Sequence, residues 1–337
     1  MKRSLLIVAL FVLPAVASVV AYQAAARERD YRALLARGEA AVKEDQGNAA
    51  IEAYSGAIAL RPDSMLAHLR RGEAYQHRGE LDEAARDFRT AASLDPTAPR
   101  PLEALGDVMY QLQWYERTID IYTRNLRLDD RAANVSYKLA LAQYRKGDAL
   151  AALTTLASTL SLDPRLVDAH YLRGLCLRDL HRSTEAVAAF QQAATRSPRL
   201  VAAHEQLSGL FAALDRPVDE IAELRAIAAL EPERVERQVA IALAQARAGD
   251  EEQAVITLGS ALERTTDQDV VYRALGKLWL DRARVPHEDR VYLSKAIEAL
   301  GRAAERPGAT SDLLTLYGEA LLLDGQVPAA ERVFQQA

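Results

Sequence analysis

The residues of this 337-residue chain best suited to metal or nucleophilic chemistry are six histidines and one cysteine. His204-Glu205 and His287-Glu288 begin like a helical metalloprotease motif, but the second histidine four residues on is missing from both. His68, His170 and His204 share one phase of a 34-residue period described below. On stacked helices about 10 Å apart, neighbouring members of that set stand too far from each other to share an ion held at about 2 Å. Core or edge packing is their expected role. Cys176 is the lone cysteine, which excludes an intrachain disulfide and a zinc site built on several cysteines. No histidine evidently pairs with it, so a small buried thiol is expected. Phosphate-loop, dinucleotide and Gly-x-Ser-x-Gly patterns are absent. The expectation is a chain that is not an enzyme, with no catalytic residue, metal or cofactor, acting by contact.

Composition narrows the kind of contact. The net charge is −5, from 42 basic and 47 acidic residues, with no long basic run. Phosphate binding needs clustered Lys and Arg, so nucleic acid is not the expected partner. Half of the residues are hydrophobic and 26% charged, the balance of a folded protein. Aromatics contribute only 6%, leaving an apolar share rich in helix-favouring Ala and Leu. Length alone suggests about two domains.

The elements that must position these side chains show in an internal period. Pro62, Pro96, Pro164, Pro198 and Pro232 share one phase of 34 residues, as do Gly38, Gly72, Gly106 and Gly174. Framed at Tyr31, seven repeats fill 31–64, 65–98, 99–132, 133–166, 167–200, 201–234 and 235–268. An eighth, 269–310, is eight residues longer, and a ninth occupies 311–337. Position 8 is always small (Gly38, Gly72, Gly106, Ala140, Gly174, Ser208, Ala242, Gly276, Gly318) and position 24 always large and apolar or aromatic (Tyr54, Phe88, Tyr122, Leu156, Phe190, Leu224, Leu258, Leu300, Phe334). Ala holds position 20 in seven of the nine repeats. Small residues let two helices approach, and the large one fills the space beside them. Gly79, Gly147, Gly249 and Gly325 fall at position 15, where a left-handed residue would end a first helix. Ser183-Thr184-Glu185 offers capping side chains before a second. Each repeat is predicted to be a helix of about 14 residues, a short turn and another helix.

The pattern Gly38, Ala50, Tyr54, Ala57, Pro62, repeated as Gly72, Ala84, Phe88, Ala91, Pro96 and as Gly174, Ala186, Phe190, Ala193, Pro198, resembles the tetratricopeptide repeat family across 31–337. The family's Trp at position 4 is absent, Glu220 takes one Ala position, and Thr118, Asn125 and Asp130 depart from the pattern in the third repeat. The resemblance implies an all-α fold: a right-handed α-solenoid of about nine helix-turn-helix repeats, preceded by one N-terminal apolar helix, with first helices lining a concave groove. Positions 2, 5, 9, 12 and 13 of the first helices then face that groove. In repeats three to five they supply Tyr110, Asn134, Tyr137, Tyr144 and Tyr171, surrounded by Arg100, Glu103, Asp107, Arg145, Asp168, Arg178 and Asp179. Tyrosine offers large contact area and a hydroxyl at low entropy cost, so these residues are the candidate patch for a protein or peptide ligand. The family's carboxylate clamp, Lys at position 5 and Asn at position 9, is absent here, so a chaperone tail is not the expected ligand.

Outside the repeats, residues 4–26 carry no charge and follow Met1-Lys2-Arg3. The segment 1–26 is either a cleaved signal peptide or a retained transmembrane anchor, and its length favours the anchor. Residues 27–30 are a linker. The basic residues Arg27, Arg29, Arg32 and Arg37 favour a cytoplasmic body, whereas the signal-like start favours an exported one facing the periplasm or cell exterior. The insertion at 281–290 is predicted as a loop, and Trp114-Tyr115 as a turn with exposed aromatics. Val333 and Phe334 leave the last helix apolar, which suits docking on a partner or homo-oligomerisation through the end repeats. The function expected is a non-catalytic interaction scaffold, membrane-tethered or exported, with bacterial envelope assembly as a setting by analogy. The alternative is a substrate-recruiting arm of an enzyme whose catalytic part lies elsewhere.

Overall fold

The computed structural model describes residues 2–266, 268–285, 290–305 and 309–337, with side chains at residue 16 and from residue 18 onward. All regular structure among the described residues is α-helical. The chain divides into two compact units, Met1–Leu180 and His181–Ala337. The first holds α1 (Lys2–Lys43), α2 (Gly47–Leu60), α3 (Met65–His77), α4 (Leu81–Leu94), α5 (Pro99–Gln111), α6 (Tyr115–Leu128), α7 (Ala133–Lys146), α8 (Ala149–Leu162) and α9 (Val167–Asp179). The second holds α10 (Ser183–Arg196), α11 (Val201–Ala213), α12 (Pro217–Leu230), α13 (Val235–Arg247), α14 (Glu251–Arg264), α15 (Gln268–Ala283), α16 (Arg290–Ala304), α17 (Ser311–Leu323) and α18 (Val327–Phe334).

Helix ends follow the predicted frame. Gly79, Gly147, Gly249 and Gly325 are left-handed, with φ of 78°, 95°, 83° and 79°. The same position is left-handed in four repeats that lack glycine: Asp45, Gln113, His181 and Asp215 have φ of 56°, 61°, 58° and 54°. A side chain there crowds the following carbonyl. Gln113→Gly is therefore expected to raise stability by about 0.5–1 kcal/mol, net of the backbone entropy glycine adds to the unfolded chain. Urea denaturation checks it; a destabilised variant refutes it.

The capping expectation at 183–185 is corrected. Ser183 is the first residue of α10, and the cap position falls on Arg182, which makes no side-chain cap. Arg182 instead grips Glu185 at 2.7 Å. The turn spans position 15, so capping chemistry works at position 16. Asp148 and Asp250 stand there, accepting from the Ala151 and Gln253 N–H groups.

Inside each hairpin the close approach is position 8 against position 24. A Cβ added to Gly38, Gly72 or Gly106 would lie 2.4, 2.6 or 2.4 Å from the ring of Tyr54, Phe88 or Tyr122. Those rings are 1%, 0% and 1% exposed, so they form the interior against which the helices close. The histidines add a second tie. Nε2–H of His68, His170 and His204 donates to the carbonyl of Pro62, Pro164 and Pro198 at 3.2, 3.0 and 3.1 Å, linking each first helix to the proline turn before it.

Three local expectations differ from the structure. Residues 27–30 are not a linker but continue α1 into the first repeat. No glycine or proline interrupts them, and Glu28 binds Arg32 one turn on at 2.6 Å and Arg61 beyond α2 at 3.0 Å. Residues 281–283 of the expected loop are helical, because the breaker Pro286 comes only later; 286–289 lie outside the described residues. Tyr115 begins α6, whereas Trp114 is 40% exposed and stacks under the Arg117 guanidinium at 4.7 Å. Among the described residues no helix is long and apolar enough to cross a membrane. The side chains of 4–15, half of the expected anchor, lie outside those described.

Candidate functional site

The predicted patch lies wholly in the first compact unit, on α5, α7 and α9. There the side chains join into three groups. In the first, Tyr110 packs edge-to-face on Tyr115 with ring centroids 5.7 Å apart, and Arg145 reaches its hydroxyl. In the second, the Tyr144 hydroxyl donates to Asp179 at 2.8 Å, and Arg178 holds the other oxygen of that carboxylate at 2.8 Å. Tyr171 is half-buried, within the field of Arg178. In the third, Lys138 donates to Glu103 at 2.7 Å and to Asp107 at 2.9 Å, and the buried Tyr122 gives its hydroxyl to Asp107 at 2.6 Å.

Tyr137 stands between these groups. Its ring is half-buried, and its hydroxyl makes no hydrogen bond among the described residues. Burial pushes that hydroxyl up to about 12, with the Asp168 carboxylate adding to the effect and Arg145 opposing it. It therefore stays protonated at physiological pH as a donor facing an exposed carboxylate. Asn134 is exposed one turn before it. The chemistry on offer is recognition: aromatic area, one uncommitted hydroxyl, and charges of both signs.

Sequence reasoning missed Lys138 and Arg70, both at position 6 of a repeat. Burial opposes the Lys138 ammonium, but its bonds to Glu103 and Asp107 raise its pKa above the ordinary lysine value. Arg70 plays a similar part earlier, donating to Glu73 at 2.9 Å; Glu73 also takes Arg100 of α5 at 2.7 Å. The overlooked signal was spacing: a cation 31 and 35 residues after two acids meets them across neighbouring first helices. Cys176 is buried, and burial pushes its thiol up to about 12, an inert state.

Comparison with known proteins agrees with this architecture. The tetratricopeptide repeat profile matches residues 35–99 and 137–201, two pairs of repeats in the predicted phase. A TPR repeat-containing protein of Treponema pallidum (strain Nichols) is 34% identical over 243 residues, 70% of this chain and 27% of that protein. The small glutamine-rich tetratricopeptide repeat-containing protein 2 of Mycosarcoma maydis is 30% identical over 96 residues, 28% of this chain and 27% of that protein. The chain thus spans about a quarter of the length of these relatives. The crystal structure of a tetratricopeptide repeat protein from Parabacteroides merdae ATCC 43184 shares the fold, with a TM-score of 0.54 at 16% identity, over 74% of this chain and 98% of that one. With its 34-residue phase, its left-handed turns at position 15 and its glycine-on-aromatic hairpins, the chain belongs to the tetratricopeptide repeat family.

Proposed function

We propose that the chain is a non-catalytic scaffold that binds an extended peptide segment of a protein partner along α5, α7 and α9, and that its N-terminal apolar segment tethers it to a membrane or directs its export. The observation that carries the binding site is Tyr137. Its neighbours Tyr110 and Tyr144 are engaged by Tyr115, Arg145 and Asp179, which fixes the surroundings of one hydroxyl that the chain leaves uncommitted. A rigid aromatic anchor beside an exposed Asn and Asp suits a backbone amide and a polar side chain of a ligand.

Crosslinking in membranes followed by mass spectrometry identifies the partner. Tyr137→Ala with Tyr144→Ala is then expected to weaken its binding by roughly thirtyfold, the loss of one aromatic hot spot. The helical circular dichroism should be retained, since both side chains only border the core around Ala140 and Leu156 and neither is fully buried. Recovery of the partner equal to wild type would falsify the site.

A further inference from the structure

Two repeats before the tyrosine patch, α1, α2 and α3 enclose a cleft of about 500 Å³. We infer that this cleft binds a neutral amide group, the backbone amide or the carboxamide side chain of an extended peptide. The inference does not depend on the tyrosine patch.

Tyr54 carries it. The residue is 1% exposed and lines the cleft, yet its hydroxyl makes no hydrogen bond among the described residues. Tyr122, at the same repeat position, shows what a committed hydroxyl looks like, donating to Asp107 at 2.6 Å. The counterpart of Asp107 in the first repeat is Glu39, one methylene longer, and it approaches Arg70 at 4.0 Å instead. That distance exceeds hydrogen-bond reach. Arg70 itself is only partly engaged: Nη1 donates to Glu73, while Nε is buried without a partner. The cleft therefore holds an uncommitted O–H donor, a guanidinium with donors to spare and an uncommitted carboxylate acceptor. Val42, Ala74 and the Tyr54 ring complete it with apolar wall.

An amide matches this set. Its carbonyl accepts from Tyr54 and Arg70, and its N–H donates to Glu39. The lining carries both signs, Glu39, Asp45 and Glu73 against Lys43 and Arg70, so either free ion meets like charge, whereas a neutral amide meets none. Arg70 Nε is the polar atom buried here without a partner, an unfavourable state, and a ligand that supplies an acceptor recovers part of that cost.

The test is a titration of the full ¹⁵N-labelled chain, followed by NMR at the Gly47 and Ala74 amides, with N-methylacetamide, acetamide, acetate and methylammonium as separate probes. Saturable shifts with an amide and none with either ion are expected. Stronger binding of N-methylacetamide assigns the site to backbone amides, and stronger binding of acetamide to carboxamide side chains. Tyr54→Phe should weaken the amide about fivefold, the worth of one hydrogen bond, with no loss of thermal stability. Tyr122→Phe should lose stability and leave the titration unchanged. Non-saturating shifts, ion binding as tight as amide binding, or equal affinity in Tyr54→Phe overturns the inference. So does loss of thermal stability in Tyr54→Phe, which would make the hydroxyl structural. The double variant at Tyr137 and Tyr144 should titrate as wild type, so failure of the tyrosine patch and failure of this cleft are separately visible.

Discussion

Gly106→Ala is expected to destabilise the first compact unit by about 2–4 kcal/mol, although the same change on an open helix face stabilises by about 1 kcal/mol. The added Cβ would lie 2.4 Å from Cε1 of Tyr122, 2.7 Å from Cδ1 and 2.9 Å from Cζ. The ring cannot slide aside, because it is 1% exposed and its hydroxyl is fixed on Asp107 at 2.6 Å. Helix α5 must then move away from α6, opening the contact on which the hairpin closes. The chain carries its own control. Where position 24 is aromatic, position 8 is glycine: Gly38 with Tyr54, Gly72 with Phe88, Gly106 with Tyr122, Gly174 with Phe190, Gly318 with Phe334. Where position 24 is the shorter Leu156, Leu224 or Leu258, position 8 is Ala140, Ser208 or Ala242. Gly276 with Leu300 is the exception, and there too a Cβ would fall 2.5 Å from Leu300 Cγ. Tyr122→Leu on the Gly106→Ala background should accordingly recover part of the loss, a positive coupling in a double-mutant cycle. A Gly106→Ala variant with the wild-type urea midpoint would show that the hairpin yields at no cost.

The same pair shows how far the sequence carries. A small residue at position 8 and a large one at position 24 mark every hairpin, with Ala at position 20 and Pro at position 32 in most, because each must solve one packing problem and reuses one solution. The left-handed turn at position 15 is visible only where glycine occupies it. Asp45, Gln113, His181 and Asp215 adopt the same conformation with nothing in their identity to announce it, since the hairpin imposes the backbone and residue preference merely biases it. The site was legible one helix at a time. A helical wheel assigns Tyr110, Tyr137, Tyr144 and Tyr171 to groove positions of α5, α7 and α9. It cannot say that Tyr144 is spent on Asp179 while Tyr137 is left open, because those partners come from different helices and depend on how the helices rotate against each other. Lys138 and Arg70 were lost for the same reason. Position 6 sits at the edge of the wheel, and only the neighbouring repeat turns it into a bridge.

Asp87→Ala is expected to cost about 3–5 kcal/mol, because it strands two polar side chains in the interior. Asp87 is 5% exposed on α4 and accepts from Arg71 Nε at 2.7 Å and Nη2 at 2.8 Å. Nδ1 of His68 lies 3.0 Å from the same carboxylate. Arg71 also donates to Ser55 of α2 at 3.1 Å, and His68 to the Pro62 carbonyl, so one carboxylate anchors α2, α3, α4 and the turn between repeats. Removing it leaves the guanidinium and the imidazole with most of their burial and little of their compensation. Asp87→Asn should cost less, since its carbonyl still accepts one Arg71 N–H. Replacing all three residues by apolar ones (H68L, R71M, D87L) should cost less than Asp87→Ala alone, because no buried polar group is then left unpaired. The sixth repeat holds a two-membered version, His204 with Glu223 at 2.6 Å and Leu207 where Arg71 would stand, so Glu223→Ala should cost less than Asp87→Ala. Glu116, paired with Lys146 at 3.6 Å on the surface, should tolerate Ala within about 0.5 kcal/mol. Urea midpoints rank the series. Asp87→Ala lying as close to wild type as Glu116→Ala would mean that the cluster stays solvated on unfolding and folding alike, and that the proline turn, not the carboxylate, fixes the first helix to its predecessor.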